Sequence, residues 1–376
     1  METPLRADIL AQGSNLRHIL DHLYGAESKR LQEAATFLTN DRPVVFAGMG
    51  SATYVNIPAE FYLARRGRLA TVVNASDALY SLLPALAHAN VVLSSRSGET
   101  VEVVKLARAL DDEDVPFVAV TNEPGSTLAA LAPHVLWFDA RKDDLVSINM
   151  VTGMMAALLV LAAASLGTSD ALRGEMQTLP DLLDDTVARA WEAGDALAAL
   201  FGDVRPIYIL YRDASKGMGQ CARLVLEEVA RRPAVAMEAG EFRQGAIEVL
   251  DHRLGAIISL GAGDLAPLNR ALAVDILAHG GRVLTLGEAW TTPESSEDSD
   301  RVPAPGEGEA PPAPSLHRHF PIAPVPAHLR PILEIVPAQV LAYKLAKRQG
   351  IRPGTTRHLP KVITTETGMP GGARRA

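Results

Sequence analysis

Residues 94–100 (SSRSGET) combine four hydroxyl side chains with one glycine, which are residue types that can hold a phosphate group. The segment follows an apolar run and precedes a stretch with helical spacing, so we expect it at a helix N-terminus. A helix N-terminus supplies partial positive charge and backbone N–H donors, and hydroxyl groups add further donors. Helix capping needs only one or two of the four hydroxyls. The pattern therefore favours a phosphate-binding turn.

A second glycine turn, 48–51 (GMGS), also follows an apolar run. It could bring backbone close to a ligand, but it lacks the third glycine and the downstream acid of a dinucleotide fingerprint. The sequence therefore does not support a nicotinamide enzyme, and no cofactor is predicted.

Charge and cysteine content exclude other classes. The 376 residues include 36 Lys and Arg against 44 Asp and Glu, a net charge of −8 without a basic block, so neither nucleic acid nor a membrane is an expected partner. A single cysteine, Cys221, excludes a disulfide framework and a Cys-rich zinc site. His317 and His319 have no third ligand nearby in the sequence, so no metal is predicted.

The elements that must position these residues are short apolar runs alternating with helical stretches. The runs are 43–47, 70–73, 91–94, 116–120 and 135–138. This alternation predicts an α/β fold with a doubly wound parallel sheet. Residues 150–166 are Ala-rich and short for a membrane span, so we predict a buried core helix there. The N-terminus lacks the pattern of a signal peptide, and a cytoplasmic location is expected.

The same pattern then occurs a second time. Segments 42–46, 63–66 and 91–94 resemble 205–209, 229–232 and 256–259, at a nearly constant separation of 163 to 166 residues. Such ordered similarity predicts two tandem copies of one α/β unit. The turn of the second copy, 259–264 (SLGAGD), has lost most hydroxyls and gained an acid, so we expect phosphate binding in the first copy only.

These patterns divide the chain into five parts. We predict an N-terminal helical segment (1–40) whose helical spacing is interrupted at Gly13-Ser14 and Gly25, a first α/β domain (41–168), a helical connector (169–203), a second α/β domain (204–350) with a Pro-rich insertion (291–315), and a C-terminal tail (351–376).

The segments SSRSGETVEVVKLA and VTNEPGSTLAALAPHVL, with LAYKLAKRQG and HLPKVITTE near the end, are similar to the sugar isomerase (SIS) domain family. The two-copy layout resembles tandem SIS proteins, namely the isomerase half of glucosamine-6-phosphate synthase and related phosphosugar isomerases and deaminases. The resemblance implies two doubly wound parallel-sheet sandwiches, a sugar-phosphate ligand and a homodimer. It also implies that the following residues contact substrate: Ser51, Ser95, Arg96, Ser97, Thr100, Ser147 and Gln244.

The resemblance implies catalytic roles for two further residues. Glu228 matches the carboxylate that moves a proton between C1 and C2 of the open-chain sugar. Lys361 matches a tail lysine that reaches the sugar carbonyl and can form an imine. From the residues alone, Glu228 also fits a solvated helix charge beside Glu227, and Lys361 fits an ordinary surface lysine. A carboxylate in a dry cleft, with its pKa raised, is nevertheless suited to this proton transfer.

The sequence also departs from the family pattern. Cys221 and Val225 share a helix face with Glu228, where glucosamine-6-phosphate synthase has a glutamate and a lysine. Gln244 replaces the loop histidine that assists ring opening, and glutamine has no titrating group. Ring opening then needs another residue, for which His358 is a candidate, or takes place in solution.

The sequence therefore predicts an enzyme that isomerises, deaminates or deglycates a 6-phosphorylated sugar. The chain starts Met1-Glu2-Thr3, without an N-terminal cysteine, so we do not expect glutamine amidotransferase activity. The alternative is a catalytically degraded SIS protein that binds a sugar phosphate as a sensor or regulator. An interaction protein that uses the Pro-rich insertion is the least favoured class.

Overall fold

The computed structural model describes residues 3–290 and 316–366. The chain divides into two compact units. One reaches Asp185 and includes the chain from Arg352 onward, and the other runs from Thr186 to Ile351. The segment 291–315, for which we predict an insertion, lies outside the described residues.

The first unit contains a five-stranded sheet with helices around it. Its strands are β1 (Val44–Gly48), β2 (Ala70–Asn74), β3 (Asn90–Ser95), β4 (Phe117–Thr121) and β5 (His134–Trp137). Its helices are α1 (Pro4–Leu10), α2 (Gln12–Tyr24), α3 (Ser28–Phe37), α4 (Ser51–Tyr54), α5 (Ile57–Ala64), α6 (Ala75–Asp77), α7 (Leu83–Leu86), α8 (Val101–Asp112), α9 (Thr127–Leu131), α10 (Asn149–Ser165) and α11 (Ser169–Met176), with a π-helical turn at Ala78–Leu82. Helix α12 (Leu179–Phe201) leads into the second unit.

The first sheet is parallel throughout, with the strand order β2-β1-β3-β4-β5. Strands β1 and β3 are neighbours, but the chain continues from β1 towards one edge of the sheet and from β3 towards the other. Their carboxyl ends therefore form a topological switch point, which is where open α/β sheets bind ligands. The predicted doubly wound parallel sheet is confirmed.

Helix α10 is the apolar segment that resembles a membrane span in the sequence. All of its 17 residues are buried, and it lies against α2, α3 and α5. The predicted core helix is thus confirmed. Within 3–290 and 316–366, no helix has both the length and the apolar character needed to cross a bilayer.

The N-terminal helical region differs from the expected pattern at one glycine. We expect Gly13 to interrupt the helix, but it lies inside α2, and the break falls at Ala11 between α1 and α2. A Cβ at position 13 would lie 2.1 Å from an Asp184 carboxylate oxygen. Close packing, and not a turn, explains this glycine.

The second unit has the same architecture. Its strands are β6 (Ile207–Tyr211), β7 (Ala234–Glu238), β8 (Gly255–Ser259), β9 (Arg282–Gly287) and β10 (His317–Pro321). Its helices are α13 (Ser215–Ala230), α14 (Ala239–Phe242), α15 (Leu265–Ala278) and α16 (Arg330–Arg348), with a 3-10 turn at Ala246–Val249. The parallel order β7-β6-β8-β9-β10 is that of the first sheet, which confirms the tandem repeat.

Candidate functional site

The turn at 95–100 lies at the switch point of the first sheet. It joins the carboxyl end of β3 to the N-terminus of α8, and the turn at 48–51 joins the neighbouring β1 to α4. Both glycine turns singled out in the sequence therefore meet at the edge where ligands bind in such sheets. Ser51, the first residue of α4, is half-buried there.

Local hydrogen bonds shape the turn. The Ser95 hydroxyl oxygen accepts the Gly98 N–H at 3.1 Å and lies 3.4 Å from the Thr100 hydroxyl. The Ser97 hydroxyl oxygen accepts the Glu99 N–H at 3.2 Å. Gly98 has φ +63°, and a Cβ there would lie 2.0 Å from the Ser126 hydroxyl oxygen. Only glycine therefore fits this position without displacing the neighbouring segment.

Ser94, just before the turn, and Glu99 within it bind neighbouring segments of the first unit. The buried Ser94 hydroxyl donates to the Asn56 side-chain oxygen at 2.8 Å. The Glu99 carboxylate accepts the Thr127 N–H at 2.7 Å and the Thr127 hydroxyl at 2.9 Å, at the start of α9. Thr100 occupies the N-cap position of α8, but its side chain makes no capping hydrogen bond. Helix capping therefore does not explain the hydroxyls of this turn.

Ser147 lies in a loop that a buried carboxylate holds. Asp143 is 2 % exposed, and its oxygens accept the backbone N–H groups of Ile148 (2.9 Å), Asn149 (3.0 Å) and Met150 (3.0 Å) at the start of α10. Burial raises the pKa of the Asp143 carboxyl, although these hydrogen bonds oppose the shift. The loop that carries Ser147 is thus fixed from within the first unit.

Arg96 brings three of the predicted residues together. One terminal nitrogen of its guanidinium donates to the Ser147 hydroxyl at 3.0 Å and to the Leu145 carbonyl at 3.4 Å. The other donates to the Lys361 carbonyl at 2.6 Å. The tail residue Lys361 is therefore held beside the turn at 95–100. His358 is exposed in the same tail.

Glu228 and Gln244 belong to the second unit. Glu228 is half-buried on α13, and its charge helps raise the pKa of the Cys221 thiol, for which burial is the larger cause. Its neighbour Glu227 pairs with Arg223 at 2.5 Å. Gln244 is exposed in the turn after α14, where its backbone N–H donates to the Glu241 carbonyl at 2.9 Å.

The switch point of the second sheet contains a carboxylate from its own unit. One oxygen of the fully buried Glu334 accepts the Ser215 hydroxyl at 2.7 Å, and the other accepts the Ser259 hydroxyl at 2.8 Å. Burial raises the pKa of the Glu334 carboxyl, while Arg330 and the two hydroxyls oppose the shift. The Ser215 hydroxyl after β6 and the Ser259 hydroxyl at the end of β8 thus bind an internal carboxyl group. Glu334 is not among the residues predicted from the sequence, although a single acid in the apolar run 332–337 (ILEIVP) is a visible signal.

No group of three or more His, Cys, Asp or Glu side chains suited to a metal occurs among the residues that the structure describes. The His317 and His319 rings both lie against the Thr285 hydroxyl, with nitrogen–oxygen distances of 2.9 and 3.0 Å. Burial lowers the pKa of His317 to about 4.

Comparison with known proteins agrees with this architecture. The SIS domain model matches residues 37–164, which contain the first sheet and its switch point. The C-terminal domain of glucosamine-fructose-6-phosphate aminotransferase from Francisella tularensis has a TM-score of 0.76 at 18% identity, covering 94% of this chain and 98% of that one. Glucosamine-6-phosphate deaminase from Thermotoga maritima has a TM-score of 0.72 at 17% identity, covering 96% and 99%. Residues 37–164 thus match the SIS domain family, and the chain has the fold of tandem SIS domains.

Curated relatives are longer than this chain. Glutamine–fructose-6-phosphate aminotransferase [isomerizing] from Pyrobaculum aerophilum is 26% identical over 97% of this chain, and the same enzyme from Gluconobacter oxydans is 27% identical over 97%. The match spans 60% and 59% of those two proteins.

Proposed function

We propose that the chain is an enzyme that binds a 6-phosphorylated ketose, aldose or amino sugar through the turn at 95–100. The observation that carries this proposal is a hydroxyl-rich turn at a helix N-terminus on the switch point of the first sheet. Ser95, Ser97 and Thr100 supply hydroxyls there, and the N-terminal end of α8 supplies partial positive charge. The internal carboxylate at the second switch point supports a single phosphate site in the first unit.

In the proposed reaction, the Glu228 carboxylate takes a proton from C1 or C2 of the open-chain sugar and returns it to the neighbouring carbon. The electron pair of the broken C–H bond forms the C1–C2 double bond, and the former carbonyl oxygen becomes the negative oxygen of an enediolate. The proton of the neighbouring hydroxyl then moves to that oxygen, and return of the carbon-bound proton from Glu228 to the other carbon completes the aldose–ketose shift. Lys361 acts on the sugar carbonyl as a positive clamp or an imine former. The printed names of the relatives, which include an isomerizing aminotransferase and a deaminase, support this reaction class.

Phosphate binding is tested by thermal shift with inorganic phosphate, fructose-6-phosphate and glucosamine-6-phosphate. We expect each ligand to raise the melting temperature of the wild type, and a Ser97→Ala/Thr100→Val double variant to lose most of this rise. Thr39→Val is the matched control, because Thr39 lies in the connection that enters the amino end of β1, whereas the phosphate turn follows the carboxyl end of β3. Equal shifts in the double variant and the wild type would refute a phosphate site at this turn.

Turnover is tested with the same sugars and with fructosamine phosphates. We expect Glu228→Gln to lower kcat by about 10²-fold or more, because a general base contributes about 10²–10⁴-fold, and to leave sugar-phosphate binding intact. Glu227→Gln is the control, since Glu227 pairs with Arg223 on the same helix. Equal turnover in both variants would exclude Glu228 as the base.

A sensor or regulator is the second candidate, and a specific observation favours it. By the family resemblance, Cys221, Val225 and Gln244 stand where glucosamine-6-phosphate synthase has titrating groups, and in this structure Cys221 and Val225 are buried. Calorimetric binding of a sugar phosphate without turnover of any tested sugar would support this candidate over the enzyme.

We also propose that the chain forms a homodimer, as the family resemblance implies. Light scattering should then give twice the 40.1 kDa mass of the chain. A monomer mass at micromolar concentration would contradict the proposal.

A further inference from the structure

Residues 361–366 of the tail run along the turn at 95–100 and along α8. The Lys361 carbonyl accepts from Arg96 at 2.6 Å, and the Ile363 carbonyl accepts from the backbone N–H of Val101, the first residue of α8, at 3.0 Å. The third contact is made further along the same helix, where the Glu366 carboxylate accepts from Lys105. These three attachment points hold this part of the tail against the turn at 95–100 and α8.

The two ends of this segment are held by different chemistry. At Lys361 the anchor is the planar Arg96 guanidinium, which also donates to Ser147 and thereby joins the tail to the loop before α10. A guanidinium suits such a bridge because its five N–H donors lie in one rigid plane and point in different directions within it. The Leu145 carbonyl, the Ser147 hydroxyl and the Lys361 carbonyl together orient this cation.

At Glu366 the anchor is a charged cluster on the surface. The Tyr80 hydroxyl lies 2.9 and 2.8 Å from the two carboxylate oxygens, and the Lys105 ammonium donates to the same carboxylate. The hydrogen bond from Lys105 is the main cause that lowers the pKa of the Glu366 carboxyl. The carboxylate therefore stays ionised at neutral pH, and the contact weakens as salt screens it.

We propose that Arg96 and Glu366 are positioning residues that hold the tail bearing Lys361 against the phosphate turn. Arg96 acts on Lys361 through its backbone carbonyl and is not a ligand of the substrate phosphate. The proposal rests on the proposed function only for the catalytic role of Lys361, because the tail contacts do not depend on it.

The first measurement is limited trypsin digestion of the full chain, with mass spectrometry of cleavage after Lys361. We expect Arg96→Met and Glu366→Gln each to be cleaved there about fivefold faster than the wild type or more, because cleavage follows local release of the tail. The matched controls are Arg108→Met and Glu102→Gln on α8, which should be cleaved at the wild-type rate. Cleavage of both test variants at the wild-type rate would overturn the proposal.

The second measurement separates positioning from phosphate binding. Titration with inorganic phosphate should give the same affinity in wild type, Arg96→Lys and Arg96→Met, whereas a phosphate ligand that loses its charge would cost more than about tenfold. Affinity lost in Arg96→Met and kept in Arg96→Lys would overturn the assignment. Where the wild type turns over a sugar phosphate, both Arg96 variants should lower kcat more than they raise KM, because lysine lacks the fork that reaches two segments.

Glu366→Gln keeps the test decisive if Arg96→Met fails to fold, since Glu366 lies on the surface of the unit. Failure of the proposed function is seen separately. A wild type that neither binds phosphate nor turns over any sugar would refute that function, while the digestion rates would still decide whether these residues hold the tail.

Discussion

Replacing Glu334 tests whether an internal carboxyl group closes the second switch point. Its two carboxylate oxygens accept from Ser215 and Ser259 at 2.7 and 2.8 Å, and the Arg330 guanidinium lies 3.9 Å away. The side chain is fully buried, so its contacts are made with protein groups and not with bulk water. Glu334→Ala would leave two buried hydroxyls and a buried guanidinium without this partner.

The expected cost follows from these contacts. A hydrogen bond to a charged group contributes about 1.5–3 kcal/mol, and removing one partner of a buried ion pair costs about 3–5 kcal/mol. The two estimates overlap because they count the same contacts, so we expect Glu334→Ala to lose about 3–5 kcal/mol of unfolding free energy. Glu334→Gln keeps the shape and one acceptor oxygen, and should lose only about 1–2 kcal/mol.

The raised pKa of Glu334 determines the direction in which the stability changes with pH. Burial raises the folded-state pKa of Glu334 above its ordinary value of 4.5. As pH rises, the carboxyl therefore ionises first in the unfolded chain, and the wild type loses stability between the unfolded and the folded pKa. Glutamine does not titrate, so the stability deficit of Glu334→Gln should be largest at or below the unfolded pKa and shrink as pH rises.

Urea unfolding of wild type and both variants, followed by circular dichroism from pH 4.5 to 8, measures these differences. A deficit of Glu334→Gln that grows with pH would refute the reasoning, because it would mean that Arg330 and the hydroxyls lower the pKa. A further check is rescue of Glu334→Ala by formate, whose carboxylate fits the vacated contacts. Formate should stabilise this variant more than chloride of equal ionic strength does, since binding to the folded state alone stabilises it.

Three further predictions concern single residues. Gly98→Ala should lower the free energy of unfolding by about 2 kcal/mol or more, because Gly98 has a left-handed conformation and the added Cβ would meet Ser126. The variant should also lose the rise in melting temperature that phosphate causes. Gly125→Ala is the control, because a Cβ there meets open space, and equal melting temperatures of the two variants would contradict the prediction. Asp143→Asn should lower the urea unfolding free energy by about 1–3 kcal/mol, since the amide cannot accept all the N–H groups at the start of α10, and an unchanged midpoint would count against it. Cys221, 4 % exposed and with a raised thiol pKa, should resist a thiol reagent at pH 7.5 until urea unfolds the chain, and rapid labelling of the native protein would be the contrary result.

Local pattern was enough to predict the architecture. Apolar runs separated by helical stretches predict parallel strands, and the observed β1 and β3 differ from the predicted runs by one residue at each end. These features depend on periodicity within a few residues, which the chain carries wherever it folds. Gly13 shows what a local pattern cannot predict, because a glycine that marks a turn and a glycine packed against Asp184 look the same in the sequence.

By itself, the sequence determined the tandem α/β repeat and the hydroxyl-rich turn of the first copy, because both are written in adjacent residues. Only the tertiary structure decided which charged groups meet. Arg96 finds its acceptors 51 and 265 residues away, and Glu334 finds its hydroxyl donors 75 and 119 residues away. The physical reason is that a buried or bridging charge takes whichever complementary groups the sheet edges bring within hydrogen-bonding distance. Sequence separation carries no information about that distance.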